Sequence, residues 1–167
     1  MKKLHLLALT VIALVAAPVA SFAAPTWTSV ASAGATIDEA SISKYMVDGG
    51  DLFFNPAKGG ELDARYNVVN TSNLNQQTPP WTTLEIGYTD ASPFGIITAI
   101  LYEVDPCTGD KVSLCAVTSI DNAFATCETC TFPNNSFDFT NNLYFVDVQM
   151  TRSNQGANPI LHTLRIH

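Results

Sequence analysis

The sequence predicts an all-β chain folded as an antiparallel β-sandwich of jelly-roll or Greek-key type, with about eight to ten strands. Three observations predict it. Apolar and polar residues alternate with a period of two over several stretches, clusters of Gly, Pro, Asn and Asp separate those stretches, and no long segment holds a helical period.

The chain opens with an export signal: Lys2 and Lys3, an apolar run from Leu6 to Val19 broken by Thr10 and Pro18, and a small-x-small site at Ser21-Phe22-Ala23. Cleavage is expected after Ala23, because a cut after Ala24 would leave Pro25 at the new terminus. Residues 1–23 are therefore read as a signal peptide and 24–167 as one β-sandwich domain. The apolar run is shorter than the ~20 residues a membrane helix needs, and no later segment is apolar for long enough to span a bilayer.

Beyond the signal, Leu52 to Asn55 is a short apolar strand. Leu62, Ala64, Tyr66 and Val68 alternate with Glu61, Asp63, Arg65 and Asn67, as a half-buried strand requires. The segment from Asn70 to Pro80 is polar apart from Leu74 and reads as the one long loop, followed by a strand over Thr82 to Thr89. Ile96 to Val104 is apolar at nearly every position and is expected to be central and covered on both faces. Val112 to Ser119 and Thr126 to Phe132 are shorter strands. Tyr144, Val146, Val148 and Met150 form the inward set of the next strand, with Phe145, Asp147, Gln149 and Thr151 outward. In the last strand Ile160, His162, Leu164 and Ile166 are expected on the apolar face. Gly49-Gly50, Gly59-Gly60, Asp90 to Pro93, Pro106 to Gly109, Pro133 to Asn135 and Asn154 to Gly156 supply the turns.

Charge excludes some partners. Cleavage removes Lys2 and Lys3 from a chain with 8 Lys and Arg against 15 Asp and Glu, taking the formal net charge from −7 to −9. Nucleic acid and anionic membrane surfaces are held chiefly by Lys and Arg, so neither is an expected partner.

The 4 cysteines, Cys107, Cys115, Cys127 and Cys130, all follow the signal. In an oxidising compartment they are expected to form two disulfides. Three connectivities are open: local pairing (107 with 115, 127 with 130) closes two short loops and is the first expectation, whereas 115 with 130 would staple a hairpin. Cys127-Glu-Thr-Cys130 has the spacing of a thiol-exchange site, but exchange needs a thiolate favoured by a helix N-terminus, and here the setting is a strand with Glu128 alongside. Four-cysteine zinc binding is disfavoured by the loose spacing and the compartment.

Catalytic signatures are missing. After cleavage only His162 and His167 remain, on opposite faces of one strand, and neither a GxSxG elbow nor an HExxH helix is present. Glu85, Glu103 and Glu128 could in principle supply a carboxylate pair for hydrolysis, but nothing in the sequence pairs them. Asp48 and Asp51, with Asn55, offer oxygen ligands near Gly49-Gly50 for a calcium ion, without EF-hand spacing. Trp27 and Trp81 are the first candidates for stacking on a sugar, although core or edge filling is the commoner fate of such residues.

No cofactor is implied. The sequence favours an exported, non-enzymatic β-sandwich with a structural or adhesive role at the cell surface or in the extracellular matrix. The alternative is an extracellular module that binds carbohydrate or another ligand, and a carboxylate-dependent hydrolase is third. Extracellular polysaccharide or self-association would be the partner.

Overall fold

The computed structural model describes residues 26–71, 78–153 and 156–167. The signal peptide expected over residues 1–23 and residues 72–77 of the expected long loop lie outside the described residues. The chain forms β1 (Trp27–Val30), β2 (Ala35–Thr36), β3 (Tyr45–Asp48), β4 (Asp51–Phe54), β5 (Gly60–Val68), β6 (Thr83–Asp90), β7 (Gly95–Val104), β8 (Lys111–Thr118), β9 (Asn122–Thr131), β10 (Leu143–Arg152) and β11 (Ile160–Ile166), with two 3-10 turns at Ala31–Ala33 and Glu39–Ser41. Every pairing is antiparallel. One sheet has the order β3-β4-β11-β6-β9 with β1 also on β11; the other is β2-β5-β10-β7-β8. The fold is the predicted sandwich.

The inward sets read from the sequence for β5 and β10 meet between the sheets. Leu62, Ala64, Tyr66 and Val68 pack with Tyr144, Val146, Val148 and Met150, all buried. The two strands are neighbours in register, Val148 opposite Ala64 and Val146 opposite Tyr66. At one end an aromatic cluster closes the core. The Trp81 ring meets Phe137 edge-on at 5.1 Å, Phe137 stacks on Phe139 at 5.5 Å, and Tyr144 lies 4.6 Å from Phe137. The Tyr66 hydroxyl donates to the Ala31 carbonyl at 2.6 Å, which satisfies the one polar group of a buried ring.

β7 is covered on one face only. Ile97, Ala99 and Leu101 are buried, whereas Ile96 is exposed and Ile100, Tyr102 and Val104 are half-buried. A two-layer sandwich has nothing to lay over the outside of a sheet, so the apolar outer set of β7 stays at the surface.

β11 departs from simple alternation. Leu161 pairs with Tyr88 and Thr163 with Gly87, so His162 is an extra residue at a β-bulge. The bulge reverses the parity: Leu161 points inward before it, Leu164 and Ile166 after it. His162 therefore leaves the apolar face on which the sequence put it. Gly87 permits the close approach there, since a Cβ on it would lie 2.5 Å from Thr163 Oγ1.

The cysteines pair differently from the local expectation. Cys115 on β8 is bonded to Cys130 on β9, with Cα atoms 5.9 Å apart, while Cys107 and Cys127 are free and exposed. Residues three apart on an extended strand are separated by roughly 10 Å, beyond the reach of a disulfide, so Cys127 cannot bond Cys130 within β9. Because β8 and β9 are edge strands of different sheets, the bond clips the two layers together.

Candidate functional site

The outer face of the five-stranded sheet is built from the residues that alternate with the core set. On β10 these are Leu143, Phe145, Asp147, Gln149 and Thr151. Register places Arg65, Asp147 and Ile100 in one row across β5, β10 and β7, and Asn67, Phe145, Tyr102 and Ser113 in the next. Val104 and Lys111 extend the face beyond Tyr102.

Polar groups on this face are mutually fixed. Arg65 Nε donates to Asp147 Oδ1 at 2.7 Å and Nη2 to Oδ2 at 2.9 Å, a two-pronged pair with the side chains about one-third and one-quarter exposed. The hydrogen bond that Arg65 donates to Asp147 raises the Arg65 pKa further, so this cation is permanent. Gln149 Nε2 donates to Glu61 Oε1 at 2.7 Å. Asp63 is held above the usual carboxylate range by partial burial and then by Glu61, with Asp38 and Asp147 adding to the effect.

Phe145 is the centre of the arrangement. It is only 7% exposed although it stands on the outside of the sheet, because the Arg65 guanidinium lies 4.0 Å above its ring centroid and Lys111 Nζ lies 5.5 Å from it. The Tyr102 ring is beside it, with centroids 5.3 Å apart. From Phe145 an open cleft of about 600 Å³ runs to the end of the sheet. Val69, Val104, Leu143 and Phe145 give it an apolar lining, and Arg65, Asn67, Asn70 and Asn142 give it polar groups. That size and composition suit a ligand with apolar faces and hydrogen-bonding edges.

The residues proposed from the sequence lie elsewhere. Trp27 and Trp81 are 4% and 0% exposed, in the core, so neither presents a ring to a ligand. Asp48 and Asp51 face each other across the β3–β4 hairpin, whose turn residues Gly49 and Gly50 have φ of 59° and 104°. Asp51 Oδ1 is engaged by His162 Nδ1 at 2.8 Å, and His162 Nε2 by Thr89 Oγ1 at 2.9 Å. These contacts pin the hairpin to the bulge. Among the described residues no three His, Cys, Asp or Glu gather as metal ligands. Glu85 accepts from Arg165 at 2.9 Å on the outside of its sheet, Glu128 pairs with Ile86 on the alternate face, and Glu103 is on the other sheet, bonded by the Tyr144 hydroxyl at 3.0 Å. They form no catalytic pair. The Cys127 thiol is pushed up by partial burial and by Glu85, with Glu128 adding and Arg165 opposing, which is the wrong direction for an exchange nucleophile. No described helix is long and apolar enough to cross a membrane.

Phe145 and Tyr102 were passed over in favour of the tryptophans. The signal for Phe145 in the sequence is an aromatic followed by Asp147, Gln149 and Thr151 in the outward set of β10.

No protein-family model matches the chain, and no curated protein sequence matches it significantly. Among solved structures it is similar to the CBM36-1 domain of a multidomain xylanase from the hindgut metagenome of Trinervitermes trinervoides (8% identity, 86% of this chain and 97% of that one, TM-score 0.48). It is also similar to the xylan-binding module CBM15 (11% identity, 84% and 97%, TM-score 0.47). A family two carbohydrate esterase from Cellvibrio japonicus matches at 14% identity over 86% of this chain, with a TM-score of 0.43, and there the chain spans only 34% of the esterase. At these identities and scores the likeness is one of β-sandwich architecture.

Proposed function

We propose that this chain is an exported, non-catalytic module that binds polysaccharide on the outer face of its five-stranded sheet. One observation carries the reading: the Phe145–Tyr102 pair stands on an outer face beside the mutually fixed Arg65 and Asp147, and Phe145, Arg65 and Asn67 line an open cleft of about 600 Å³. A sugar ring has apolar C–H faces and a rim of hydroxyls. Tyr102, Val104 and Leu143 suit the first, and the guanidinium and amide groups suit the second. A purely structural role, the first expectation from the sequence, leaves this polar network around the Phe145–Tyr102 pair unexplained. The export signal and the Cys115–Cys130 bond support a location outside the cytoplasm, where disulfides persist.

Affinity electrophoresis of the mature protein through gels containing a panel of plant and microbial polysaccharides tests the reading. At least one polymer should retard the protein, and Tyr102→Ala and Leu143→Ala should lose most of that retardation while keeping the wild-type circular dichroism and melting temperature. Retardation by no polymer, or retardation unchanged in both variants, would refute binding at this face.

A further inference from the structure

We infer, building on the reading of this face as a glycan site, that the glycan is acidic and that Lys111 and Arg65 receive one of its anionic groups. Between Ala24 and His167 the chain has only Lys44, Lys58, Arg65, Lys111, Arg152 and Arg165 as strong cations. Two of them converge on the single ring of Phe145. Others are committed to the fold: Lys44 donates to the Glu61 carbonyl, Arg152 to the carbonyls of Asn55 and Pro56, and Arg165 to Glu85.

Only one of the two cations is ion-paired among the described residues. Asp147 balances Arg65, and the two bonds between them leave three of the five guanidinium N–H groups for other acceptors. Among the described residues Lys111 has no carboxylate within ion-pair distance. The carboxylates of the neighbouring turn bond to the turn itself and not to Lys111: Asp105 accepts from the amides of Cys107 and Thr108, and Asp110 from the Thr108 hydroxyl. The Lys111 ammonium therefore stands without an ion pair beside Phe145, which lines the cleft. At the other end of the same face stand Glu61 and Asp63, whose mutual repulsion helps to raise the Asp63 pKa. The two cations of this face meet at Phe145 and its paired carboxylates at Glu61 and Asp63, so an anionic substituent is better placed against Arg65 and Lys111 than against Glu61. A neutral glycan would gain nothing from that polarity.

Isothermal titration of the mature protein with polygalacturonate and with the same polymer after carboxyl reduction separates the possibilities, with dextran sulfate as a sulfate-bearing arm and xylan as a neutral one. We expect an anionic polymer to bind at least tenfold more tightly than the carboxyl-reduced polymer. Lys111→Gln should remove about that factor for the anionic polymer and leave neutral polymers unchanged, while Lys111→Arg should retain it. Preference for polygalacturonate over dextran sulfate would identify the group as a carboxylate, and the reverse as a sulfate ester. Equal affinity for charged and neutral polymers, binding of xylan alone, or no effect of Lys111→Gln would overturn the inference and leave the glycan-binding reading standing. Binding of no polymer would overturn both.

Discussion

Arg65 and Asp147 are direct cross-strand partners on β5 and β10, joined by parallel bonds of 2.7 and 2.9 Å, and the same guanidinium covers the ring of Phe145. One residue thus organises both the charge and the apolar surface of the outer face. A double-mutant cycle with Arg65→Ala and Asp147→Ala should give a coupling of about 0.5–1 kcal/mol, the modest value expected of a well-oriented pair that water still reaches. Arg65→Ala alone should also raise quenching and solvent exposure at Phe145. A coupling near zero in urea titrations would mean that the pair orders nothing on this face.

The single disulfide predicts a thiol count. Denatured, unreduced protein should react with two equivalents of a maleimide, and peptide mapping should find the label on Cys107 and Cys127. Closing the loop between Cys115 and Cys130, at a sequence separation of 15, should contribute about 3 kcal/mol in the chain-entropy account. Cys115→Ser/Cys130→Ser should therefore unfold at clearly lower urea concentration. Labelling of no thiol, or of Cys115 and Cys130, would contradict the connectivity.

Asp90 predicts a pH dependence. It is 1% exposed, and burial raises its pKa despite hydrogen bonds from the Ser119 hydroxyl and the Ser92 amide that act the other way. A carboxyl whose pKa is higher in the folded state holds its proton more tightly there. Its contribution is most favourable below the unfolded value and is lost as pH rises through the folded value. Asp90→Asn removes that dependence. The stability difference between variant and wild type, measured by urea denaturation, should shift in favour of Asn between pH 3.5 and 7. A constant difference, or a shift towards Asp, would reverse the sign assigned to this group.

Sequence periodicity revealed the sandwich because β5 and β10 each bury alternate residues without interruption, so that Leu62 to Val68 and Tyr144 to Met150 show their faces directly. It failed at His162 because a bulge adds one residue without leaving a mark in the hydrophobic pattern. The cysteine pairing was hidden for another reason: β8 and β9 follow each other in the chain but belong to different sheets, and only topology brings Cys115 to Cys130. The tryptophans misled because an indole is as useful in a core as on a surface, and Trp81 closes the aromatic cluster around Phe137. Lys111 could not be linked to Phe145 from sequence at all, since β7 lies between them.

The alternation on β10 gives the most direct test of the architecture beneath the site. Val148 is 1% exposed and lies between Ala64 and Ala99, whereas Gln149, one residue on, is exposed on the outer face. Val148→Asp would bury a carboxylate with no partner, at a cost of several kcal/mol out of a total stability of ~5–15 kcal/mol, so the variant should unfold or lose most of its stability. Gln149→Ser should change stability by no more than about 0.5 kcal/mol, since it removes only surface hydrogen bonds to Glu61 and Asp63. Melting curves decide between the faces. Equal losses would mean that this strand does not separate core from surface, and a larger loss in Gln149→Ser would mean a one-residue slip, which turns every side chain of β10 to the other face. In that case Phe145 would belong to the core, Tyr144 would turn to the outer face, and the cover of Arg65 over Phe145 could not form.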